Sequence, residues 1–285
     1  MIMKRRKKRN AIIWAVVVVV VLIAGYFSFV RPQQQAAKTV TVGIMASSKA
    51  DDHIWNSVAK TAKDKYGVTV KFRRFTDYNQ PNKALENGDV DLNAFQHKLF
   101  LQTWNKAHHT DIVSLGDTFI TPIRVYSNQY KSVKDLPDGA TVAVPNDASN
   151  ESRALFALKN AGLFNLKKGT KLATASSITD NKKNIKIKEL AADQTARSLN
   201  DVDAAVVNTN YAQAAGLDYK KAIFVEPINQ DSKQWVNVIA VLKKNKNNKA
   251  YKDVVKAYQT EKTKQLIKKY YGSAEIPAWD LNFNK

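Results

Sequence analysis

No cysteine occurs anywhere in the 285 residues. Disulfides, thiolate metal ligands, cysteine nucleophiles and lipid attachment through an N-terminal cysteine are excluded together. A chain without such staples depends on its apolar core, and this length is enough to build one or two. Acidic residues are scarce as well: 25 Asp and Glu stand against 45 Lys and Arg, for a net charge of +20. Seven of the surplus charges, Lys4, Arg5, Arg6, Lys7, Lys8, Arg9 and Arg31, fall in a stretch without acids, which leaves +13 for the remainder. A surplus of that kind attracts anionic partners in general: nucleic acid, anionic lipid or cell-wall polymer. Enzyme signatures are missing too. There is no Gly-x-Ser-x-Gly, no His-Glu-x-x-His and no phosphate loop. The four histidines, His53, His97, His108 and His109, have no metal-ligand spacing, and neighbouring histidines on a helix diverge.

Long apolar runs are also lacking, with one exception. Ala11 to Val30, "AIIWAVVVVVVLIAGYFSFV", is twenty residues without a charge. At 1.5 Å per residue a helix of this length spans roughly 30 Å, the thickness of a bilayer core. The basic cluster precedes it, so the positive-inside rule puts residues 1–10 in the cytoplasm and everything after Arg31 outside. A cleavable signal peptide has a shorter apolar region, roughly 7–15 residues. The expectation is therefore an uncleaved, single-pass signal anchor over 11–30, a polar linker over 31–38, and a globular body on the extracytoplasmic face that favours lipid or wall polymer over nucleic acid.

From Thr39 onward the pattern alternates between strand and helix. "TVTVGIM", "VTVKFRRF", "ATVAVP", "KIKEL", "DAAVVN" and "WVNVIAVL" read as strands. "ADDHIWNSVAKTAKDKYG", "QPNKALENG" with its early Pro and late Gly, "ESRALFALKNAGL", "ADQTARSLN" and the long "KAYKDVVKAYQTEKTKQLIKKYY" read as helices. Such alternation predicts an α/β protein with mostly parallel, buried sheets. One device occurs twice. "NGDVDLNAFQHKLF" and "NDVDAAVVNTNY" each run from a helical stretch through Asp-Val-Asp and a short apolar strand to a hydrogen-bonding side chain. In open α/β sheets ligands bind at the carboxyl edge of the strands. Two such units suggest two similar lobes that share a cleft.

The segments "FTDYNQPNKALENGDVDLNAFQHKLFL", "VAVPNDASNESRALFALKNAGL", "DVDAAVVNTNYAQAAGL" and "WVNVIAVL", in this order, closely resemble the methionine-binding lipoprotein (NlpA/MetQ-type) family of ABC-transporter substrate-binding proteins. The resemblance covers about Thr39 to Trp279. It implies a two-lobed periplasmic-binding-protein fold of type II-like form, closing on L-methionine or a close analogue and delivering it to an ABC permease with its ATPase. With the enzyme motifs and metal-ligand spacings missing, no cofactor, metal or enzymatic turnover is expected. Members of the family are typically tethered by a lipidated cysteine; here the apolar helix would take that role and keep the receptor beside its permease. The expected division is 39–122 with 238–285 as lobe 1 and 123–237 as lobe 2, with hinge strands near Ile123 and Val236.

An amino-acid ligand brings a carboxylate, an ammonium and a side chain, and each needs a partner once water leaves. Arg153 matches the family's carboxylate-binding arginine. Its guanidinium can grip two oxygens, and it is expected in the first turn of its helix, where free N–H groups favour an anion. Tyr78 and Phe95 match pocket positions suited to a thioether, whose sulfur contacts ring edges for about 0.3–1.5 kcal/mol. Phe100 stands where the family commonly has Tyr, which removes a hydroxyl. His97 occupies the Phe-Gln-His position, to bond the ligand or brace the pocket. Asn208 and Asn237 match the asparagines that meet ammonium and carboxylate, and neutral amides suit a zwitterion. Asn146 and Asn150 are expected to cap the helix that carries Arg153.

Alternatives are a receptor for another amino acid or a methionine-containing dipeptide, and a basic adhesin for anionic surface polymers. Salt separates the last from the rest. Polymer binding should collapse when salt is raised in a pull-down or titration, whereas capture of a buried zwitterion should hardly change.

Overall fold

The computed structural model describes residues 14, 16–26, 39–46 and 48–283. The expected basic tail (1–10), the linker (31–38) and residues 11–13, 15 and 27–30 of the apolar run lie outside the described residues. Within that run, residues 16–25 are helical and their side chains are mostly exposed, Leu22 to 66%. Among the described residues no helix is long and apolar enough to cross a membrane.

Fourteen strands are assigned among the described residues. They are β1 (Thr39–Met45), β2 (Thr69–Phe75), β3 (Leu92–His97), β4 (Ile112–Asp117), β5 (Phe119–Ile120), β6 (Arg124–Tyr126), β7 (Thr141–Pro145), β8 (Asn165–Leu166), β9 (Ile178–Thr179), β10 (Lys186–Leu190), β11 (Ala204–Val207), β12 (Phe224–Val225), β13 (Asn237–Leu242) and β14 (Ile276–Pro277). The α-helices of the same region are α1 (Lys49–Tyr66), α2 (Gln80–Glu86), α3 (Lys98–His108), α4 (Ala148–Asn160), α5 (Thr209–Ala214), α6 (Lys249–Tyr258) and α7 (Glu261–Tyr271). Two five-stranded sheets result, ordered β2-β1-β3-β13-β4 and β10-β7-β11-β6-β12. Each is covered by helices. Val40, Val42, Ile239 and Val241 of the first sheet pack with Trp55, Val254 and Tyr258. Val142, Val144 and Val206 of the second pack with Leu155 and Leu158 of α4. The chain thus forms two α/β lobes and crosses between them twice, between β4 and β6 and again between β12 and β13.

The sheets are less uniform than the alternation predicts. β13 runs antiparallel to both of its neighbours in the first sheet, and β6 does so in the second. Each reversed strand is the first one laid down after a crossover, entering its sheet from the cleft side. The reversal also has a use, because it sets Asn237 directly opposite His97 although one begins its strand and the other ends it.

Two expected helices differ as well. "ADQTARSLN" forms two 3-10 turns, Ala192–Gln194 and Arg197–Asn200. The Thr195 and Ser198 hydroxyls donate to the carbonyls of Ala192 and Thr195, both at 2.9 Å, and compete with the helical ladder. The long C-terminal helix breaks in two at Gln259, whose ψ of 65° is not helical; Thr260 then caps α7 by accepting from the Thr263 N–H.

The repeated Asp-Val-Asp resolves into a structural clamp at the amino edge of each sheet. Asp91 Oδ2 accepts from the Thr41 N–H (2.8 Å), and the Asp91 N–H donates to the Thr41 carbonyl (2.8 Å). Asp203 does the same with Thr141, at 2.7 and 3.0 Å. The polar residues at the far ends of the same strands, His97 and Asn208, stand at the carboxyl edge. Removing either aspartate leaves a half-buried strand N–H unpaired, at a cost of about 1–3 kcal/mol. Asp91 also accepts from the Tyr251 hydroxyl at 2.7 Å, whereas the matching Tyr130–Asp203 distance is 3.5 Å. Asp91→Ala should therefore lower the urea midpoint more than Asp203→Ala, at an unchanged m value.

Candidate functional site

Between the lobes lies a cavity of about 80 Å³. That is room for several water-sized groups, each of which needs roughly 10–15 Å³, and hence for a small organic ligand. Its wall includes Tyr78, Phe95, His97, Phe100, Arg153, Asn208 and Asn237, together with Asn150. Asn146 is exposed and lines a separate opening beside Asp147 and Tyr211.

The helix that carries Arg153 is capped by neither expected asparagine. Asp147 holds the N-cap and accepts from the Asn150 N–H at 3.0 Å. An aspartate adds a negative charge at the positive end of the helix, which either amide would lack. Asn150 sits inside the first turn, and its side chain joins the lobes. Its Oδ1 accepts from Asn208 Nδ2 at 2.8 Å and lies 3.3 Å from His97 Nε2. Arg153 is the sixth residue of α4 and so belongs to the second turn, not the first.

The two-oxygen grip is also redirected. Arg153 Nε donates to both oxygens of Glu226 (3.2 and 3.1 Å), and Nη2 donates to Glu226 Oε2 (2.6 Å) and to the Thr121 carbonyl (2.7 Å). The fork that would seize a carboxylate is already filled by a protein carboxylate. Nη1 has no hydrogen bond to any described residue, and Arg153 lines the cavity, so Nη1 is the donor left for a ligand. The indole of Trp235 backs the guanidinium, 4.9 Å from ring centre to Cζ. A second polar atom is unspent. Asn208 Oδ1 is buried and accepts no hydrogen bond from the described residues.

His97 braces the site. It caps α3, its Nδ1 accepting from the Phe100 N–H at 3.0 Å, which leaves the proton on Nε2, toward Asn150. Burial first, and the nearby Arg153 charge second, lower its pKa from 6.5 to about 3, so the imidazole is neutral in the folded protein. Tyr78, Phe95 and Phe100 form the apolar wall, with centroids 5.7–5.9 Å apart. Tyr211 of the other lobe packs at a tilt against Tyr78, centroids 4.9 Å apart, and donates to the Thr76 carbonyl at 3.3 Å, while the Tyr78 hydroxyl bonds Asn210. At the far end of the cavity stands Glu275, whose carboxyl is pushed well above the usual range by burial and then by the charge of Asp51. Among the described residues no group of three or more His, Cys, Asp or Glu could hold a metal ion.

Glu226, Trp235, Tyr211 and Asp147 were not legible as site residues. Glu226 stands alone in "FVEPINQ", and an acid inside an apolar segment was the available sign of a buried ion pair.

Two α/β lobes with a partly open, amide-rich cavity between them define a substrate-binding protein. The chain belongs to the NlpA lipoprotein family, whose model matches residues 40–279. It is 43% identical over 250 residues to the probable D-methionine-binding lipoprotein MetQ of Pasteurella multocida, covering 87% of this chain and 89% of that protein. The substrate-binding protein of a methionine transporter from Streptococcus pneumoniae is similar with a TM-score of 0.81 and 46% identity, over 85% of this chain and 96% of that one. A nutrient-binding protein of Burkholderia cenocepacia, solved bound to methionine, gives 0.80 and 46%, over 84% and 99%.

Because His97 is held neutral, the unfolded chain binds one more proton than the fold between about pH 3 and 6.5. Stability from this residue is full above 6.5 and is lost as pH falls toward 3, at up to about 1.4 kcal/mol per unit. His97→Asn keeps a capping side chain but removes the titration. Its melting temperature should fall less steeply between pH 6.5 and 4.5 than that of the wild type.

Proposed function

We propose that this chain is the membrane-anchored, extracytoplasmic receptor of an ABC importer, capturing L-methionine or a close analogue in the interlobe cavity and handing it to the permease. One observation carries the reading: two residues of the same cavity wall, beside the aromatic rings, each keep a polar atom with no hydrogen bond among the described residues, Arg153 the donor Nη1 and Asn208 the buried acceptor Oδ1. A free amino acid supplies the complement of each, a carboxylate and an ammonium, and a thioether suits the rings of Tyr78, Phe95 and Phe100. Asn237 completes the polar rim from the strand that returns from the second lobe. The methionine-related names and contents of the similar proteins support the choice of ligand.

Capture here is binding without turnover. Lobe 1 (39–122 and 238–285) and lobe 2 (123–237) would close about the two crossovers, in the type II manner, as rigid bodies. His97, Asn150, Tyr78 and Asn210 meet across that closure. Residues 11–30 would serve as the uncleaved anchor, holding the receptor within reach of its permease on the outer face of the membrane.

A thermal-shift screen of the protein against amino acids, both enantiomers of methionine and methionine dipeptides tests the ligand. A ligand at a hundred times its dissociation constant stabilises by about 2.7 kcal/mol. L-Methionine should give the largest shift, and Arg153→Ala should abolish it. Absence of any response to methionine compounds would remove this ligand.

A further inference from the structure

Glu226 lies outside the cavity wall, yet it bonds both the cavity's arginine and the first crossover. It is 8% exposed, and its carboxylate takes three hydrogen bonds from the Arg153 guanidinium. Oε2 also accepts from the Ile123 N–H at 3.1 Å, and the Glu226 N–H donates to the Ile123 carbonyl at 2.9 Å. Ile123 lies on the first crossover and Glu226 opens the second. Arg153 adds a bond of its own to the first crossover, through the Thr121 carbonyl at 2.7 Å. One side chain therefore joins the cavity's guanidinium to both connections between the lobes.

A buried guanidinium without a counterion would draw any anion that fits. With its Nε/Nη2 edge filled by Glu226, Arg153 presents one amino group and little net charge. The other buried guanidinium nearby, Arg124, does not line the cavity and donates to the carbonyls of Pro122 (2.8 Å) and Ser273 (3.3 Å).

We infer that Glu226 is a positioning and specificity-determining residue: it aims Arg153 Nη1 into the cavity, cancels the guanidinium's charge so that net-neutral zwitterions are preferred over anions of the same shape, and anchors the pair to both crossovers. This rests on the amino-acid-receptor reading given above.

The test compares L-methionine with 4-methylsulfanylbutanoate, which keeps the side chain and carboxylate but lacks the ammonium and so carries a full negative charge. Affinities for both are measured by calorimetry with wild type and Glu226→Gln. The variant should bind methionine more weakly, while the ratio of affinities shifts toward the anion by about tenfold or more, the scale of one charge interaction at an effective dielectric near 20. If both ligands change by the same factor, or neither changes, the specificity role is overturned. A ligand-free arm keeps this distinct from the choice of ligand. Amide hydrogen exchange at Ile123 should quicken by at least about tenfold in Glu226→Ala, the scale of one lost hydrogen bond, with β7 and β11 still protected. Unchanged exchange at Ile123 overturns the anchoring role. Failure of wild type to bind methionine, with Ile123 exchange behaving as expected, removes the methionine reading and leaves the anchoring role in place.

Discussion

The buried ion pair between Arg153 and Glu226 constrains the rest of the molecule. A guanidinium that is 2% exposed is tolerable only with a counter-charge in good geometry. Meeting that condition requires α4 to present its second turn, the second crossover to begin with an acid, and the first crossover to turn backbone groups of Thr121 and Ile123 inward. Three segments far apart in sequence are fixed by one pair. The cost is that most of the guanidinium's hydrogen-bonding capacity goes to the protein, leaving one amino group for anything else.

The apolar wall and the polar floor of the cavity are organised differently. Tyr78, Phe95, Phe100 and Tyr211 meet edge to face or tilted, a geometry that tolerates small adjustments. The amides are directional: Asn150 takes the Asn208 amide and faces His97, while its own Nδ2 returns to Asp147. A neutral His97 is essential to this chain, since a protonated ring would lose the acceptor that caps α3 and place a second cation beside Arg153. The low pKa and the hydrogen-bond pattern are two descriptions of one arrangement.

Much of this architecture was legible in the residues. The alternation of short β-rich runs with helical spacing placed β1, β2, β3, β7, β10, β11 and β13, because burial imposes periods of two and 3.6 wherever a face is covered; β4 and the strands of two or three residues, β5, β6, β8, β9, β12 and β14, are too short or too mixed to show a period. Strand direction was not legible, since a reversed strand such as β13 carries the same local pattern as a parallel one. The "ADQTARSLN" turns and the break at Gln259 were missed because hydroxyl side chains divert hydrogen bonds in ways that spacing does not record. In the cavity, the residue types expected of an amino-acid receptor were found together, but their wiring was not foreseen. Asp147, not Asn146 or Asn150, starts the helix, and Glu226 takes the two-oxygen grip of Arg153 that was expected for a free carboxylate. Both depend on which groups share a small space after folding, and no single-segment pattern encodes that.

The paired clamps at Thr41 and Thr141 lie at one end of the strands only. Asp91 and Asp203 stitch each sheet at one rim, while the cavity is assembled at the opposite rim of the same strands. Framework and recognition are thus separated by a strand's length, six residues from Asp91 to His97 and five from Asp203 to Asn208. A scaffold so divided can be refitted for a new cargo by exchanging side chains at one end, without undoing the seams that hold it together at the other.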